Sequence, residues 1–438
     1  MDRQRNGNRS FFATLRLCVI GRRWRVRIDC GLISTGDIVA FQGLSRYGSR
    51  TGLHTMANNP PKIEPVSNAT PRPFWSVMIP TYKANAFLAE TLKAVLAQDP
   101  GADRMQIAVV DDCSPSDDVV ELVRSAGHAR VELHRNEQNL GLAGNWSECI
   151  RRARGQVVHV LHQDDLIAPG FYDRFRNGLE QNPDMGAAFC RFGVANEKGE
   201  RTWEAPPERE DAGPLEGWLE KIAVKCRIQC AAIVVRRAVY ETLGGYHPDL
   251  LYALDWEMWV RIASRFGYWY EPTLGADYRL HGGSETTRLS KSGGLLTDQC
   301  RAIELFAPHL PAEKREKLVR GARHECARVA LRHARRCMAD GEWDLARKLL
   351  DQAVDVDPSF ATRRRALRLK GKMKITRFWR SLRSSPALVT TERVAHTEKD
   401  VTGAEDNHAL PVSVLSVNSV VNSPFLDPAR PETPAFRF

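Results

Sequence analysis

The sequence predicts an α/β protein with a mostly parallel, doubly wound sheet, followed by an α-helical C-terminal region. Short apolar strands alternate with amphipathic helices over residues 74–290, and residues 291–383 keep helical spacing throughout. The chain has 438 residues, of which 43% are hydrophobic and 26% charged. This composition is typical of a globular protein, and the length allows two or three folded units.

The alternating pattern begins at Trp75. SVMI predicts the first strand, and NAFLAETLKAVLAQ predicts a helix because its apolar residues recur at helical spacing after a candidate N-cap, Asn85. IAVVDD and DDVVELVRSA predict a second strand and helix. VELH, the glycine-rich connection NLGLAGN, the helix WSECIRRAR and the strand VVHVL follow. This order is typical of parallel βαβ units.

Two pairs of adjacent aspartates follow predicted strands, Asp111 and Asp112 after the second and Asp164 and Asp165 after VVHVL. One interpretation is that an aspartate of the second pair caps the helix predicted over 168–175. Ligands of open parallel sheets bind beyond the carboxyl ends of the strands, so two acidic corners there favour a cation or a ligand that brings one. Neither GxGxxG nor GxxxxGK[ST] is present. A diphosphate at this rim would therefore need a divalent metal between the like charges.

These stretches, in this order, resemble family 2 glycosyltransferases of the GT-A fold. SVMIPTYKANAFLAETLKAVLAQ resembles the family's opening strand, P-T-Y turn and first helix. VVDDCSPSDD resembles the D-D-x-S turn, and NLGLAGN resembles the N-x-G-x-x-x-N segment. HQDD stands where the family has its D-x-D-type metal motif. In the second half, IVVRRAVYETLGGYHPDL resembles the family's acceptor-side segment. LDWEMWVRIA resembles the helix that carries the catalytic carboxylate, and YRLHGGSETT resembles the closing R-x-H segment. The resemblance covers about half the chain, residues 74–288.

The resemblance implies inverting transfer of a sugar from a nucleotide diphosphate to a hydroxyl of a glycan or lipid-linked acceptor, in surface polysaccharide or glycoconjugate synthesis. QxxRW, which marks processive synthases of the family, is absent, so single-sugar transfer is expected. The general base implied is Asp255, which opens a helix with an apolar face. Two alternatives remain: Asp255 is a helix N-cap, or Glu257 is the base.

The resemblance also implies a divalent metal, Mn²⁺ or Mg²⁺, with Asp165 and His281 as ligands and Arg279 alongside. A purely structural role is the alternative for His281. For Tyr82 the alternative is a core aromatic at the edge of the sheet. The nucleotide-sugar site is implied at Pro80, Thr81, Tyr82, Asp111, Asp112, Asn145 and Asp164.

The flanks of this region carry much of the net charge of +10. Residues 1–73 predict a disordered basic arm and linker, and a translation start at Met56 is a hypothesis. No apolar run reaches the length of a membrane span, and the start of the chain lacks a clear cleavage site, so a cytoplasmic protein is expected. The 10 cysteines include no CxxC motif, and CRIQC has no partner cluster for zinc. We expect mostly buried, reduced thiols.

The C-terminal third contains ARVALRHARRCMADGEWDLARKLLDQAVDVDPSF, which resembles one tetratricopeptide-like hairpin with Gly341 at its turn and Pro358 closing it. One repeat cannot bury a core alone, so we expect it to pack on the transferase domain or on a partner. Residues 363–383 place apolar residues among dense Arg and Lys. This predicts either a peripheral helix on an anionic inner membrane surface or a solvated basic segment. Residues 384–438 predict a disordered tail.

Other function classes are less compatible with the sequence. Nucleic-acid binding is not expected, because no RNA- or DNA-binding module accompanies the basic charge. IAVVDD resembles the first strand of a phospho-receiver, but a strand and a helix already precede it. A catalytically inactive, transferase-like scaffold that acts through its helical region remains an alternative.

Overall fold

The computed structural model describes residues 16–20, 23–27, 59–67, 71–84 and 86–383. The chain divides into two units, Met1–Met56 and Ala57–Phe438. In the first unit, β1 (Arg16–Ile20) and β2 (Arg23–Arg27) pair antiparallel. The candidate cap Asn85 and the predicted tail from residue 384 lie outside the described residues.

A mixed sheet forms the centre of the second unit. Its strands are β3 (Trp75–Thr81), β4 (Met105–Asp111), β5 (Glu132–Arg135), β6 (Val157–Val160), β7 (Leu166–Ile167), β8 (Met185–Ala195), β9 (Arg201–Glu204), β10 (Gly213–Pro214), β11 (Ile233–Arg236) and β12 (Gly267–Arg279). The main path runs β10-β12-β8-β11-β6-β3-β4-β5, with β7 on β12 and β9 on β8. Along that path only β10 and β11 run against the other six strands. The predicted mostly parallel sheet is confirmed.

Helices cover both faces of this sheet. They are α1 (Phe87–Leu96), α2 (Asp118–Gly127), α3 (Gly141–Arg152), α4 (Phe171–Gln181), α5 (Trp218–Val224), α6 (Arg237–Leu243), α7 (Leu254–Ala263), α8 (Glu285–Ser292), α9 (Leu295–Phe306), α10 (Ala312–Asp340), α11 (Trp343–Val356) and α12 (Phe360–Arg383). Successive residues of β3 alternate between two cores: Val77 and Ile79 pack in one, and Met78 packs in the other. This alternation explains why β3 and β4 are apolar at nearly every position, since they are buried on both faces.

Two helix starts differ from the sequence-based expectation. The stretch NLGLAGN was expected to be a connection, yet α3 begins inside it at Gly141. The helix after the second aspartate pair begins at Phe171, behind Gly170 (φ 75°), and no side chain caps it. The interpretation of Asp164 or Asp165 as a helix cap was therefore wrong.

The predicted linker is also partly ordered. Residues 59–67 pack on the rest of the second unit, and Ile63 is fully buried there. The Pro61 carbonyl accepts a hydrogen bond from the Gly245 amide at 2.8 Å, and the Glu64 carbonyl accepts one from Arg237 Nη1 at 3.2 Å. A proline-rich stretch can dock in extended form without making secondary structure, which is why composition alone suggested disorder here.

The C-terminal helices belong to the second unit. α10 ends at Gly341, whose φ of 86° is the left-handed conformation expected at the predicted turn, and α11 follows it. α10 packs on α5: Lys314 Nζ donates to Glu220 Oε1 at 2.6 Å, and a Cβ at Gly321 would lie 3.2 Å from Val224 Cγ2. None of the helices in the described ranges has both the length and the apolarity needed to cross a bilayer.

Candidate active site

A cavity of ≈ 880 Å³ opens where β3, β4 and β6 end. Its walls come from the turns after these strands, the first turns of α3 and α7, the segment after α5, and helices α8 and α10. The cavity therefore lies at the edge of the sheet that the sequence predicted for ligand binding.

The two residues of the first aspartate pair have different surroundings. Asp111 is fully buried and accepts hydrogen bonds from the Ser114 amide at 3.0 Å and from Arg135 Nε at 2.9 Å. It does not line the cavity. Asp111 thus stabilises the turn behind the cavity wall. Its position does not favour the direct contact with a nucleotide that the resemblance implied.

Asp112 lines the cavity and also caps α3. Its Oδ1 accepts from the Leu140 amide at 2.8 Å and from Asn136 Nδ2 at 2.9 Å, while Oδ2 accepts from the Gly141 amide at 2.9 Å. A carboxylate at a helix N-terminus interacts favourably with the helix dipole. Since each carboxylate oxygen can accept two hydrogen bonds, Oδ2 keeps one acceptor position for a ligand.

The remaining predicted donor-side residues of this region line the same wall, namely Pro80, Thr81, Tyr82 and Asn145. Tyr82 is 43% exposed, so it is not a core aromatic. Its ring offers a stacking face, with Lys83 Nζ 5.2 Å from the ring centroid. Asn145 is buried and joins neighbouring elements: its Nδ2 donates to the Val110 carbonyl at 3.1 Å, and its Oδ1 accepts from Asn136 Nδ2.

The second aspartate pair is part of a cluster with two histidines. Potential ligand atoms of His162, Asp164 and Asp165 lie within 4.8 Å of one another. His281 Nε2 lies 2.7 Å from Asp164 Oδ2, and both residues line the cavity. Asp165 lies behind them, 1% exposed, with Oδ1 accepting from the Arg279 amide at 3.0 Å and Oδ2 3.4 Å from His162 Nδ1.

The charged groups of this cluster shift one another's pKa values. Burial raises the pKa of Asp165, against the opposing effect of His162. Burial alone would lower the pKa of His162, but the carboxylates of Asp165 and Asp164 outweigh it and raise that pKa. The hydrogen bond to Asp164 raises the pKa of His281. Asp165 Oδ2 and His162 Nε2 are buried without a hydrogen bond, and oxygen and imidazole donors of this kind suit a divalent cation. The residues present therefore fit the metal that the resemblance implies.

Arg279 holds the acidic turn from behind. It is 1% exposed and does not line the cavity, so it does not reach a diphosphate there. Its Nε donates to the Asp164 carbonyl at 2.9 Å, Nη1 to the Glu197 carbonyl at 3.0 Å, and Nη2 to Glu90 Oε2 at 2.7 Å. This fork fixes the backbone of Asp164 and thereby the direction of its carboxylate.

Asp255 lines the cavity in the first turn of α7, and the structure decides between the alternatives for it. The N-cap of α7 is Ala253, so the N-cap interpretation of Asp255 was wrong. The amides of residues 251–253 donate instead to the Asp298 carboxylate of α9, at 3.1, 2.8 and 2.7 Å. The competing base, Glu257, is 1% exposed and forms two hydrogen bonds with Arg261, at 2.9 and 2.8 Å. Of the two carboxylates, Asp255 is the one available for chemistry.

Burial raises the pKa of Asp255 to about 6, despite the opposing hydrogen bond from the Trp256 amide at 2.6 Å. A carboxylate with a pKa closer to neutrality is a better general base than an exposed aspartate and is still ionised at pH 7. The nearest thiol, Cys230 Sγ, lies 4.0 Å from Asp255 Oδ2, and burial raises its pKa well above the ordinary value. The eight described cysteines are free, as predicted, and this thiol is inert near neutral pH.

Sequence reasoning missed the contribution of the C-terminal helices to this cavity. Helix α8 lines it from Glu285 to Arg288, and α10 lines it over three turns. Ser290 Oγ of α8 lies 3.3 Å from His333 Nε2 of α10, and Lys348 Nζ of α11 donates to the Ser292 carbonyl at 2.8 Å. The hairpin was expected to pack on the domain, but a single sequence does not specify which surface it covers.

Comparisons with known proteins show what this chain is similar to. Residues 76–244 match the model of the family described as "Glycosyl transferase family 2". The chain is 28% identical to "Uncharacterized protein MT1568" of Mycobacterium tuberculosis (53% of this chain, 75% of that protein). It is 31% identical to "Succinoglycan biosynthesis protein ExoO" of Rhizobium meliloti, over 30% of this chain and 34% of that protein. It is 29% identical to an "N-acetylglucosaminyltransferase" of Mesorhizobium japonicum, over 39% of this chain and 40% of that protein. The chain thus spans well under half the length of the latter two.

Two similar solved structures are S. aureus TarS 1-349 in complex with UDP and the mannosyltransferase PcManGT from Pyrobaculum calidifontis in complex with GDP-Man and Mn²⁺. For TarS the identity is 15% and the TM-score 0.44, over 57% of this chain and 70% of that one. For PcManGT the identity is 17% and the TM-score 0.42, over 70% of this chain and 88% of that one. The family match, which includes both aspartate pairs, removes the phospho-receiver alternative. Over residues 76–244, the chain thus carries a domain of glycosyltransferase family 2.

Proposed function

We propose that this enzyme transfers a single sugar, with inversion, from a nucleotide-diphosphate sugar to a hydroxyl of a glycan or lipid-linked acceptor. The observation that carries the proposal is that Asp255 lines the same cavity as Asp164 of the acidic cluster. A single displacement needs a base at the acceptor hydroxyl and a site that stabilises the departing diphosphate, and the two lie in one cavity.

The proposed roles follow from the positions of the side chains. Tyr82 stacks on the nucleotide base, and the open acceptor position of Asp112 Oδ2 receives a hydrogen bond from the nucleotide. Asp164, Asp165 and His162 hold Mn²⁺ or Mg²⁺, whose charge neutralises the diphosphate as it departs. His281 orients the Asp164 carboxylate, and Asp255 takes the proton of the acceptor hydroxyl.

The biological setting is part of the same proposal. Two relatives carry names from polysaccharide synthesis, the succinoglycan protein above and "Minor teichoic acid biosynthesis protein GgaB" of Bacillus subtilis (22% identity, 25% of this chain). We propose by analogy that the product belongs to a surface polysaccharide or glycoconjugate, made on the cytoplasmic side of the membrane.

Helix α12 supplies a membrane contact in this proposal. Phe360, Leu367 and Ile375 are 81%, 68% and 60% exposed, and their spacing of seven and eight residues places them along one side of the helix. The helix contains many Arg and Lys and no Asp or Glu. An apolar stripe with a basic surround is typical of helices that lie on anionic membranes. We expect Leu367→Ser/Ile375→Ser to abolish cosedimentation with phosphatidylglycerol vesicles, and Val120→Ser, an exposed valine on α2, to leave it unchanged. Equal cosedimentation of both variants would contradict the membrane contact.

The donor site is tested by thermal unfolding with UDP, GDP, dTDP and CDP, each with and without Mn²⁺. A nucleotide at a hundred times its dissociation constant stabilises the folded state by about 2.7 kcal/mol. We expect a Mn²⁺-dependent rise in Tm with one nucleotide, which Asp165→Asn removes. Asp103→Asn is the matched control, because Asp103 is an exposed carboxylate away from the cavity. If no nucleotide raises Tm under either condition, the proposed donor site is wrong.

A further inference from the structure

The cavity has a basic wall, which the proposed roles leave unused. We define this wall by the side chains that line the cavity around α8 and α10 and carry or can carry positive charge: Lys225, Arg288, Arg332, His333 and Arg336. These residues come from three separate elements, the segment after α5, α8 and α10. A surface assembled from three elements is more informative than a charged run along one exposed helix, which is usually a solvated face.

Charge is distributed unevenly between the two ends of the cavity. With histidines counted as neutral, the end at α8 and α10 has four lining cations and two lining carboxylates, Glu285 and Glu325. Each of these carboxylates forms an ion pair with an arginine of its own helix, Arg288 and Arg328 respectively. The end at the strands has one lining cation, Lys83, and three lining carboxylates, Asp112, Asp164 and Asp255. The cavity is therefore acidic at the sheet and basic at the helices.

The basic wall is fixed in place by packing. The residues of α10 that line the cavity are Glu325, Cys326, Val329, Ala330, Arg332, His333 and Arg336. Their spacing corresponds to one side of a helix over three turns. One turn before them, Gly321 allows close approach to Val224 of α5, and Ser290 Oγ meets His333 Nε2 at 3.3 Å. The arginines thus come from a helix that is held on two sides.

The basic wall begins on the side of the general base. Cys230 Sγ lies 4.0 Å from Asp255 Oδ2, and the segment that leads back from Cys230 to Lys225 contributes Gln229, Cys226 and Lys225 to the cavity lining. Trp256, which follows Asp255, donates from Nε1 to the Ile222 carbonyl of α5 at 2.6 Å. The base must contact the hydroxyl that receives the sugar, so this side of the cavity is where the acceptor binds. Burial lowers the pKa of Lys225; the Glu325 carboxylate opposes this shift, and the charges of Arg227, Arg328 and Arg332 add to it.

We infer that the acceptor carries an anionic group, a phosphate or a carboxylate, near the hydroxyl that receives the sugar, and that Lys225, Arg332 and Arg336 bind this group. The inference rests on the proposed function and deepens it by naming the acceptor class. Arginine suits both groups because its planar fork donates two hydrogen bonds to adjacent oxygens. Asp112 and Asp164, which follow the strands, repel the same group, so the charge distribution also orients the acceptor.

The test uses the full chain with its donor site filled by the nucleoside diphosphate and Mn²⁺ that raise Tm, so that anions cannot bind there. Four probes are titrated by calorimetry in two matched pairs: octyl glucuronide against octyl glucoside, and farnesyl phosphate against farnesol. The first pair tests a sugar carboxylate and the second a lipid phosphate. The variants are Arg332→Gln/Arg336→Gln and the control Arg335→Gln, because Arg335 is exposed on the same helix and does not line the cavity.

We expect one anionic probe to bind at least about tenfold more tightly than its neutral partner, the contribution of a charge-assisted hydrogen bond. The double variant should lose this preference while Arg335→Gln keeps it, and the pair that shows it identifies the source of the anion. If the double variant no longer shows the nucleotide-dependent rise in Tm, Lys225→Gln provides the same comparison from the other element.

Three results would overturn the inference: neither anionic probe binds, anionic and neutral partners bind equally, or the double variant retains the preference. These results leave the proposed function intact as long as the nucleotide with Mn²⁺ still raises Tm. Absence of that rise in the wild type would refute the proposed function itself, so the two failures are distinguishable.

Discussion

Replacing Asp255 by asparagine should abolish transfer and, at neutral pH, stabilise the fold. Burial raises the pKa of this carboxyl from 3.8 to about 6, so the folded state disfavours its ionised form. At 1.36 kcal/mol per pH unit, the interval corresponds to about 3 kcal/mol. Because the carboxylate lines a water-accessible cavity, part of this penalty is screened, and we expect a gain of about 1 to 3 kcal/mol.

The sign of the effect depends on pH. Below pH 3.8 the carboxyl is protonated in both the folded and the unfolded chain, so the wild type and Asp255→Asn should be equally stable. Between pH 3.8 and about 6 the unfolded chain loses the proton first, and the wild type becomes progressively less stable than the variant. Above about pH 6 the difference should stay constant. Thermal unfolding at pH 5, 6, 7 and 8 measures it, with an expected rise in Tm of about 2 to 6 °C at pH 8.

Activity supplies the second measurement. If Asp255 is the base, kcat/KM of the wild type should rise with pH through about 6, since only the ionised carboxylate accepts a proton. Asp255→Asn should bind the donor nucleotide nearly as tightly as the wild type, because the proposed role of Asp255 is at the acceptor hydroxyl.

Glu257→Gln is a matched control, with the same chemical change two residues away. It leaves Arg261 buried without its ion pair, so it should destabilise the fold by about 3 kcal/mol. A loss of stability in Asp255→Asn at pH 8, or unchanged transfer, would refute the argument.

Three further changes test the supports of the site. Asp298→Ala removes the hydrogen-bond acceptor of three backbone amides before Asp255. We therefore expect the unfolding free energy to fall by about 2 to 4 kcal/mol and kcat to decrease, with unchanged nucleotide binding. An unchanged kcat would show that this cap does not position Asp255. Arg279→Lys cannot reach the Asp164 carbonyl, the Glu197 carbonyl and Glu90 together, so both Tm and Mn²⁺-dependent nucleotide binding should fall; retention of the Mn²⁺ effect would assign Arg279 to stability alone. Asp164→Asn should weaken the Mn²⁺-dependent part of nucleotide binding, measured by calorimetry with and without EDTA, whereas a loss equal in both conditions would indicate a direct sugar or ribose contact.

Much of the sheet and its ligand edge could be predicted because their signals are local. The apolar runs of β3 and β4 and the aspartates that follow them are read directly from neighbouring residues. The parallel arrangement then places the ends of those strands together, which is why Asp112 and Asp164 were expected at one edge of the sheet, and both line one cavity.

The differences within each aspartate pair could not be predicted, because they depend on distant residues. Asp111 accepts a hydrogen bond from Arg135, and Asp165 accepts one from the Arg279 amide, which lies more than a hundred residues later in the chain. Likewise, Asp255 was predicted with a helix cap as its alternative, since the sequence around it has no sign that Asp298 caps that turn. A local sequence pattern shows which residues are candidates for a ligand or catalytic role. Only tertiary contacts determine which of these side chains are free to face the cavity.

The C-terminal helices contribute to the same cavity as the strand ends. Asp298 of α9 accepts hydrogen bonds from the turn before Asp255, and α10 lines the cavity. Because Arg332 and Arg336 come from α10, our inference predicts that changes on α10 alter acceptor preference while the strands and the acidic cluster keep their geometry. In our proposal, the strand end of the cavity carries out the transfer and the basic wall selects the acceptor.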